Sequence, residues 1–324
     1  MRSPNLSYCL VLAVVAAATA GCNSPFSPKG PYVDNPVVYG ILTNRSDTQF
    51  VRVYSTYNPP GVDPSAQTSD TPVSGASVLI SGDSSAFRFS PISIQRLDQS
   101  RYSDNILAYA SFPFHLQLGN TYSLTVSTPS EGTVTASVVV PKSGRIQFLN
   151  AYVLNGGGND DENIVVYGWI RELTYGVMMQ LQVYYDVLEG NTWVTHQEEM
   201  PAVGLTLADG SKTYFYPVMR RRVSSGIVKD KEESEMFVFF RTAYFERIGN
   251  IIDRFGYGKV HFKRATMILT QVDKDLYAYS KRVNGFEDPF SIRTDLPDYT
   301  NISGGHGIFG AMVDDSASVD ITAW

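Results

Sequence analysis

Three glycines late in the sequence have the spacing of a dinucleotide-binding loop. Gly305, Gly307 and Gly310 match the string G-x-G-x-x-G. Dinucleotide binding requires a strand before these glycines and a helix after them, whose N-terminus meets the pyrophosphate. The residues around Gly310 have a strand pattern instead, so we expect a tight turn in which backbone packs against backbone.

An acidic loop at residues 156–163 (GGGNDDEN) could supply oxygen ligands to a metal ion. Asp160, Asp161 and Glu162 are the candidate ligands, because Ca²⁺ prefers several carboxylate and carbonyl oxygens. Their consecutive spacing differs from the alternate positions that ligate Ca²⁺ in a defined calcium loop. Asn, Asp and Gly are also the commonest turn residues, so we expect a solvated hairpin turn here.

The residues that a hydrolase or a zinc site would use lie far apart in the sequence. His115, His196, His261 and His306 form no close pair in the sequence and have no cysteine nearby, so they predict no zinc site. The sequence has no G-x-S-x-G nucleophile motif. Two carboxylates for glycoside hydrolysis need not be close in sequence, so that reaction stays open.

Two further groups of side chains are candidates for surface interactions. The basic run Arg220–Arg222 and the acidic segment 229–235 (KDKEESE) are expected to face each other across one hairpin and to form ion pairs. The tyrosine-rich segments 184–185 and 214–216 could form an aromatic platform for a sugar or a protein. Because side chains alternate between the faces of a strand, about half of these rings should point into the core.

Cys22 has the most clearly predicted chemistry, the attachment of a lipid. Arg2 precedes an apolar run at residues 8–20, which is shorter than the roughly 20 residues that span a bilayer. Such a run ending in small residues is typical of a cleaved export signal. The small residues 18–21 (ATAG) end directly at Cys22, as in a bacterial lipobox, although Thr19 stands where leucine is more common.

Two outcomes are open for this leader, and they differ in the fate of the thiol. Residues 18–20 also fit the A-x-A rule of an ordinary secretory signal, which would release a soluble protein with a free cysteine. Once residues 1–21 are removed, Cys22 is the only cysteine left, and a lone exported thiol is open to oxidation. We therefore expect Cys22 to be acylated, for example with palmitate.

The charge of the chain argues against one class of partner. The formal net charge is −6 and becomes −7 when Arg2 leaves with the leader. A mildly acidic protein is not expected to bind nucleic acid, or to adhere to anionic lipid by electrostatics. The membrane contact that we expect is therefore through the lipid on Cys22.

Periodicity in the mature chain predicts an all-β, mainly antiparallel fold in two domains. Residues 22–36 contain several prolines and should form a semi-rigid tether. Short alternating strands with turn signals between them fill residues 37–141, as expected of an immunoglobulin-like β-sandwich. Pro141 cannot donate a hydrogen bond to a sheet and should end this domain.

Residues 146–324 are predicted to form a second β-rich domain with one or two short helices. Strands are expected at 146–153 and 164–170, and two closing strands at 308–312 and 318–324.

The helices of the second domain are predicted by their apolar spacing. Residues 243–255 have apolar side chains on one helical face, with Thr242 as the predicted N-cap and Gly256 just after the helix. Residues 273–283 predict a second helix, capped by Asp273.

Several segments together resemble a known family. They are PVVYGILT at 36–43, VSGASVLI at 73–80, TYSLTVST at 121–128 and the late segment 288–312, whose most specific part is Asn301 to Gly310. In this order they are similar to a family of uncharacterised lipoproteins with a domain of unknown function, found mainly in Bacteroidota. The resemblance covers nearly the whole mature chain and offers no catalytic residues to transfer.

The resemblance implies a cell-envelope lipoprotein, often encoded beside outer-membrane transport machinery. Surface-exposed members often have acidic residues soon after the cysteine, and residues 23–26 (NSPF) do not, so the side of the outer membrane stays open. We expect a non-catalytic binding or accessory module without a cofactor, with an outer-membrane protein as candidate partner. The alternatives are an envelope hydrolase acting on glycan or peptide, and an adhesin-like structural protein.

Overall fold

The computed structural model of the chain describes much of the predicted mature protein. The described residues are 32–58, 70–83, 85–97, 99–100, 104–148, 151–159, 162–223, 232–283 and 299–321. The predicted leader, Cys22, most of the tether, Asp160 and Asp161 lie outside the described residues. Among the helices in these ranges, none has the length and apolar character needed to cross a membrane.

Most of the structure is β-sheet, with 54% in strands and 11% in three short helices. The strands are β1 Pro36–Thr43, β2 Gln49–Ser55, β3 Ser77–Ser81, β4 Ala86–Ile94, β5 Ile106–Ser111, β6 Thr121–Thr128, β7 Gly132–Val139, β8 Arg145–Phe148, β9 Ile164–Ile170, β10 Gly176–Glu189, β11 Thr192–Met200, β12 Val203–Thr206, β13 Lys212–Phe215, β14 Arg220–Arg221, β15 Glu233–Phe239, β16 Val260–Val272 and β17 His306–Asp320. The helices are α1 Ala151–Leu154, α2 Arg241–Phe255 and α3 Lys274–Val283. The prediction of an all-β, mainly antiparallel fold is confirmed.

Twelve strands form one sheet that runs through both predicted domains. Their order is β11-β10-β16-β17-β1-β2-β5-β4-β3-β6-β7, and β14 pairs with β10. A three-stranded sheet, β15-β9-β8, and the hairpin β12-β13 complete the described β-structure.

The long strand β17 joins the two halves of the large sheet. Its residues 306–312 pair in parallel with β1, and residues 312–320 pair antiparallel with β16. Because side chains alternate along a strand, the odd-numbered residues Phe309 and Val319 pack on the cores of the first and second halves. Even-numbered residues point to the opposite side, which we call the outer face of the sheet.

The first half folds into a sandwich because β4 takes part in two ladders. Residues 86–89 pair with β3, and residues 90–94 pair with β5. Pro91, which has no N–H to donate, lies just past this change of partner. The part of the large sheet that contains β1, β2 and β5 therefore packs on the part that contains β3, β6 and β7. The two parts enclose a core that includes Tyr109 and Phe114.

The second half encloses its core between the end of the large sheet and the three-stranded sheet. Ile164 and Val166 of β9 face Leu181 and Val183 of β10 across this core, and Ile248 of α2 packs on it as well. All five side chains are at most 1% exposed, so α2 and both sheets share one apolar interior.

The boundaries of α2 agree with the sequence at one end and differ at the other. Gly256 (φ 98°) ends the helix as predicted, and its N–H donates to the Ile252 carbonyl at 2.7 Å. The prediction of Thr242 as N-cap is wrong, because Phe240 occupies that position without a side-chain cap. Asn163 Oδ1 accepts the N–H of Arg241 at 3.2 Å, so a neighbouring loop supplies the missing acceptor.

Two strand predictions also differ from the structure. The strand expected at 146–153 ends at Phe148, and the chain turns into α1 at Ala151. The two closing strands expected at 308–312 and 318–324 are one continuous strand, β17, because residues 313–317 pair with β16. Asp314 and Asp315, which lie between the two predicted strands, are therefore strand residues.

The connection between the two halves is held by β17. The Asp315 carboxylate accepts the Gly144 N–H at 2.7 Å, the Gln271 side-chain amide at 2.8 Å, and the Ser143 hydroxyl. Gln271 is buried and accepts a hydrogen bond from Thr174 at 3.1 Å. The domain boundary predicted at residues 141–145 falls on this connection and stays a prediction.

Candidate binding face

The G-x-G-x-x-G segment is a site of close packing. A Cβ on Gly305 would lie 2.6 Å from the Pro36 carbonyl oxygen, and one on Gly307 (φ 106°) would overlap the backbone of Val38. A Cβ on Gly310 would lie 2.8 Å from Leu276 Cβ of α3. The three glycines therefore let the chain approach β1 and α3, which confirms the packing interpretation of this motif.

Asp273 and Asn301 fasten this segment to the fold. Asp273 Oδ1 accepts the N–H groups of Asp275 (2.7 Å) and Leu276 (3.2 Å), which confirms it as the N-cap of α3. Its Oδ2 accepts the Ala311 N–H of β17 at 2.6 Å, and burial raises the pKa of this carboxyl to about 6. Asn301 accepts the N–H of Phe309 at 2.9 Å and donates to its carbonyl at 2.7 Å.

These contacts place α3 across the middle of the outer face. Leu276 packs with Val272 of β16 and Ile308 of β17, and the ring centroids of Tyr279 and Tyr39 of β1 lie 6.4 Å apart. Val272, Ile308 and Tyr39 all belong to the outward-pointing set of their strands. Helix α3 therefore divides the outer face into two surfaces of different composition.

The surface on the β10, β11, β16 and β17 side is polar, and we call it the amide face. Its polar and aromatic outward-pointing residues are Gln180, Gln182, Tyr184, Trp193, Thr195, Gln197, Glu199, Arg264, Thr266, Ser316 and Ser318. Thr266 is buried among them, and Asp186, Leu188 and Ile268 point to the same side. In the register, Glu199, Gln182, Thr266 and Ser318 form one row across four strands. The next row is Gln197, Tyr184, Arg264 and Asp320.

Hydrogen bonds within β10 and between neighbouring strands orient the amide face. Gln180 donates to Glu199 at 3.1 Å, and the Tyr184 hydroxyl donates to Gln182 Oε1 at 3.1 Å. The hydroxyl oxygens of Thr266 and Ser318 lie 2.9 Å apart. Such contacts fix the side chains while leaving other donor and acceptor positions of each amide and hydroxyl toward solvent.

Two aromatic side chains stand on the amide face. Trp193 stacks on His261 with ring centroids 4.2 Å apart and an interplanar angle of 19°, and it is 41% exposed. The Arg264 guanidinium lies 4.4 Å above the Tyr184 ring centroid. Trp193 therefore has one supported ring face and a large solvent-accessible area at the edge of the sheet.

The surface on the other side of α3 is apolar. Tyr39, Ile41, Phe50 and Ile92 point outward from β1, β2 and β4, and each is at least 36% exposed. Ala108 lies beside Ile92 in the register, and its side chain is smaller than those of the four exposed residues. We call these four exposed residues the apolar face.

Of the three candidate acidic ligands, only Glu162 lies among the described residues. No group of three or more His, Cys, Asp or Glu side chains is placed to hold a metal ion in that part of the chain. The Glu162 N–H donates to the Asn159 carbonyl at 2.9 Å, at a position between α1 and β9. His196 contacts Glu189 at 2.9 Å and His261 stacks on Trp193, so these two histidines lie on opposite sides of the sheet.

The predicted ion pairs are confirmed for the described part of the acidic segment, but the single hairpin is wrong, because β14 pairs with β10 and β15 pairs with β9. Arg220 pairs with Glu235 at 2.9 Å, and Arg222 pairs with Glu233 at 3.0 Å. Arg221 lies over the Tyr175 ring at 5.2 Å instead.

The predicted aromatic platform is divided between core and surface. Tyr184 belongs to the amide face, whereas Tyr185 is buried, and its hydroxyl donates to Glu198 at 3.2 Å. Burial, together with the negative charge of Glu198, raises the pKa of Tyr185 to about 12. Tyr214 contacts Glu246 of α2 at 3.2 Å, while Phe215 is exposed.

The sequence did not single out the rest of the amide face. The glutamines at 180 and 182 alternate with the buried residues of β10, and Trp193 begins β11. That alternation was a usable signal, since it places two amides and Tyr184 on one side of one strand. The register with β16 and β17, which adds Thr266 and Ser318, is visible only in the structure.

Comparison with known proteins gives a family and no activity. A family described as "Domain of unknown function (DUF4249)" matches residues 23–318, which include the first predicted domain and the second up to residue 318. No curated protein matches the chain. The predicted similarity to a family of unknown function is confirmed.

Proposed function

The chain belongs to the DUF4249 family, and we propose that it is a lipid-anchored cell-envelope protein that acts as a non-catalytic binding module. In this proposal the acyl chains on Cys22 hold the protein at the outer membrane of a member of the Bacteroidota. The amide face is its binding surface, and an accessory role beside outer-membrane transport machinery is the expected context.

The observation that supports binding is the amide face itself. Its residues come from four neighbouring strands, so a rigid sheet positions them. The face combines amides, hydroxyls, a supported indole and few charges, which suits a ligand with many hydrogen-bonding groups.

The groups whose pKa is raised most are Tyr244, Tyr299, Asp273 and Tyr185. Each has a hydrogen-bond partner within the protein, and the Tyr299 hydroxyl donates to Asp275, which favours binding over hydrolysis. Asp273, raised to about 6, accepts three backbone N–H groups. Burial raises the pKa of Tyr244, whose hydroxyl donates to the Leu154 carbonyl at 3.2 Å. A general acid would need to face a substrate, whereas these groups face the fold.

The binding role is tested by purification of the tagged protein from native membranes. We expect the wild-type chain to retain a bound molecule that Trp193→Ala and Gln182→Ala lose. Leu97→Ala is the matched control, because Leu97 is fully exposed in the first half of the chain. Equal recovery of the bound molecule from all four proteins would contradict a binding role of the amide face.

The anchor is tested separately with Cys22→Ser. We expect this variant to lose incorporation of labelled palmitate and to move from the membrane to the soluble fraction, since the thiol that accepts the lipid is gone. The wild-type protein grown in parallel is the control. Unchanged labelling and membrane partition of Cys22→Ser would overturn the lipid anchor and leave the binding proposal standing.

A further inference from the structure

We infer that the amide face binds an uncharged polysaccharide, an inference that rests on the proposed binding role of this face. A sugar chain combines two kinds of surface, apolar C–H faces of its rings and hydroxyls around their edges. The amide face offers a partner for each kind on one sheet. Trp193 and the row that contains Gln182 are six residues apart along the strands, roughly 20 Å at 3.4 Å per residue, so a chain of several sugar rings would contact both.

Trp193 provides the apolar partner. A sugar ring can lie flat on an indole, which is a large and rigid apolar surface. The stacked His261 ring, 4.2 Å away, supports the indole from one side, and 41% of Trp193 is exposed. The ring is therefore held in place before a ligand arrives, which lowers the entropy cost of binding.

The rows across the four strands provide the polar partners. Each Gln amide offers one acceptor and two donors, and each Ser or Thr hydroxyl can donate and accept, which matches the dual character of sugar hydroxyls. Neighbouring strands lie about 4.8 Å apart. In this row Gln182 and Ser318 present hydrogen-bonding groups to an extended chain of sugar rings, while the buried Thr266 hydroxyl, 2.9 Å from that of Ser318, holds Ser318 in place.

The charges of the face favour an uncharged polymer. Glu199 accepts a hydrogen bond from Gln180, and Arg264 lies over Tyr184 opposite Asp320 in the register. At the Trp193 end, Lys263 pairs with Asp186 at 2.7 Å. Both signs of charge occur on the face, and Lys263 is paired with Asp186, so a strongly acidic or basic polymer would meet like charges as well as opposite ones and would lose solvation.

The inference is tested by affinity electrophoresis of the purified full-length protein in detergent, in gels that contain a polysaccharide. The probes are a neutral glucan, mannan and xylan, with the acidic polymer polygalacturonate for comparison. We expect at least one neutral polymer to retard the wild-type protein and polygalacturonate to leave its mobility unchanged. Trp193→Ala should weaken the binding at least tenfold, and Gln182→Ala severalfold.

The control separates stacking on Trp193 from general adhesion to aromatic groups. Tyr152→Ala removes a 73% exposed ring of α1, which lies outside the amide face, and should bind like the wild type. Equal weakening by Tyr152→Ala and Trp193→Ala would overturn the inference.

The outcomes also separate this inference from the proposed function. If no neutral polymer retards the protein while Trp193→Ala still loses a bound protein from native membranes, the polysaccharide is wrong and the binding role stands. If Trp193→Ala changes neither the retardation in the gel nor the recovery of a bound molecule from native membranes, both the polysaccharide inference and the proposed binding role are wrong. Retardation by polygalacturonate alone would overturn the uncharged ligand.

Discussion

Two neighbouring regions of the large sheet differ in where their polar groups point. One is the amide face, and the other, the α3 segment, consists of residues 273–283 and the residues 301–310 that pack beside them. The α3 segment has a G-x-G-x-x-G string, two aspartates close in sequence and a carboxyl with a pKa near 6. Its polar groups contact the backbone of β17 and α3. The amide face has no motif, and its polar groups point away from the backbone toward solvent.

This difference teaches that the partners of a polar group say more about its role than its residue type. A buried carboxylate or amide that satisfies backbone N–H and C=O groups stabilises the fold. Oriented amides on an open sheet have donors and acceptors available to another molecule. The comparison predicts that substitutions near α3 change stability, whereas substitutions on the amide face change binding.

Gly307→Ala should have the largest effect. A Cβ at this position would overlap the Val38 backbone, and φ of 106° is unfavourable for alanine, so the parallel pairing of β1 and β17 must shift. We expect the free energy of unfolding to fall by about 3–5 kcal/mol, measured by urea denaturation. Gly190→Ala is the matched control, because Gly190 (φ 63°) has no atom within 4 Å of the added Cβ. It should lose about 1 kcal/mol, and equal losses would contradict the packing role of Gly307.

Asn301→Ala should have the next largest effect. It leaves the N–H and C=O of the buried residue Phe309 without their partner, which should cost about 2–4 kcal/mol in unfolding free energy. Asn44 makes the same two bonds to Asp314 of the same strand at 2.8 and 2.9 Å, but in an exposed position. Asn44→Ala should therefore cost about 1 kcal/mol or less, since water can replace the side chain. A loss for Asn44→Ala as large as that for Asn301→Ala would show that burial does not decide the cost.

Asp273 should make stability depend on pH. Because its pKa in the folded protein, about 6, is above the ordinary value of 3.8, the folded state binds more protons than the unfolded state between these values. The contribution of Asp273 to the free energy of unfolding is therefore present below about pH 4. It is lost as the pH rises to about 6, at up to roughly 1.4 kcal/mol per pH unit. Urea denaturation of wild type and Asp273→Asn between pH 4 and 7 measures the difference. If the unfolding free energies of the two proteins differ by the same amount at every pH in this range, the raised pKa of Asp273 is contradicted.

The amide face should show the smallest effect on stability. Gln197 is exposed, so Gln197→Ala should change the unfolding free energy by less than about 0.5 kcal/mol. The same denaturation experiment measures this change. A loss of 2 kcal/mol or more would place Gln197 with the residues that hold the fold.

The sequence predicted the parts of the structure that depend on local pattern. Alternation placed most strands, apolar spacing placed α2, and Asp273 and Gly256 mark helix ends as expected. The failures are at places where distant residues decide the outcome. Thr242 is not the N-cap because Asn163 supplies the acceptor, and β17 stays one strand because β16 pairs with its middle residues.

The candidate site was predictable only in part for the same reason. Tyr184 was singled out by its type, and the alternation of Gln180 and Gln182 could have been read from β10 alone. The addition of Thr266 and Ser318 depends on strand order across residues far apart in sequence. No local pattern encodes that order, so the face as a whole requires the structure.

The most direct test of the central claim combines stability and binding in one variant, Trp193→Ala. A photoreactive amino acid at position 197, which lies on the amide face between Trp193 and Glu199 of β11, should form a cross-link with the bound molecule in intact cells. We predict that Trp193→Ala abolishes this cross-link while the melting temperature of the protein stays within about 3 °C of wild type, since the residue is partly exposed. An undiminished cross-link in Trp193→Ala, or a loss that occurs only together with unfolding, would contradict the account.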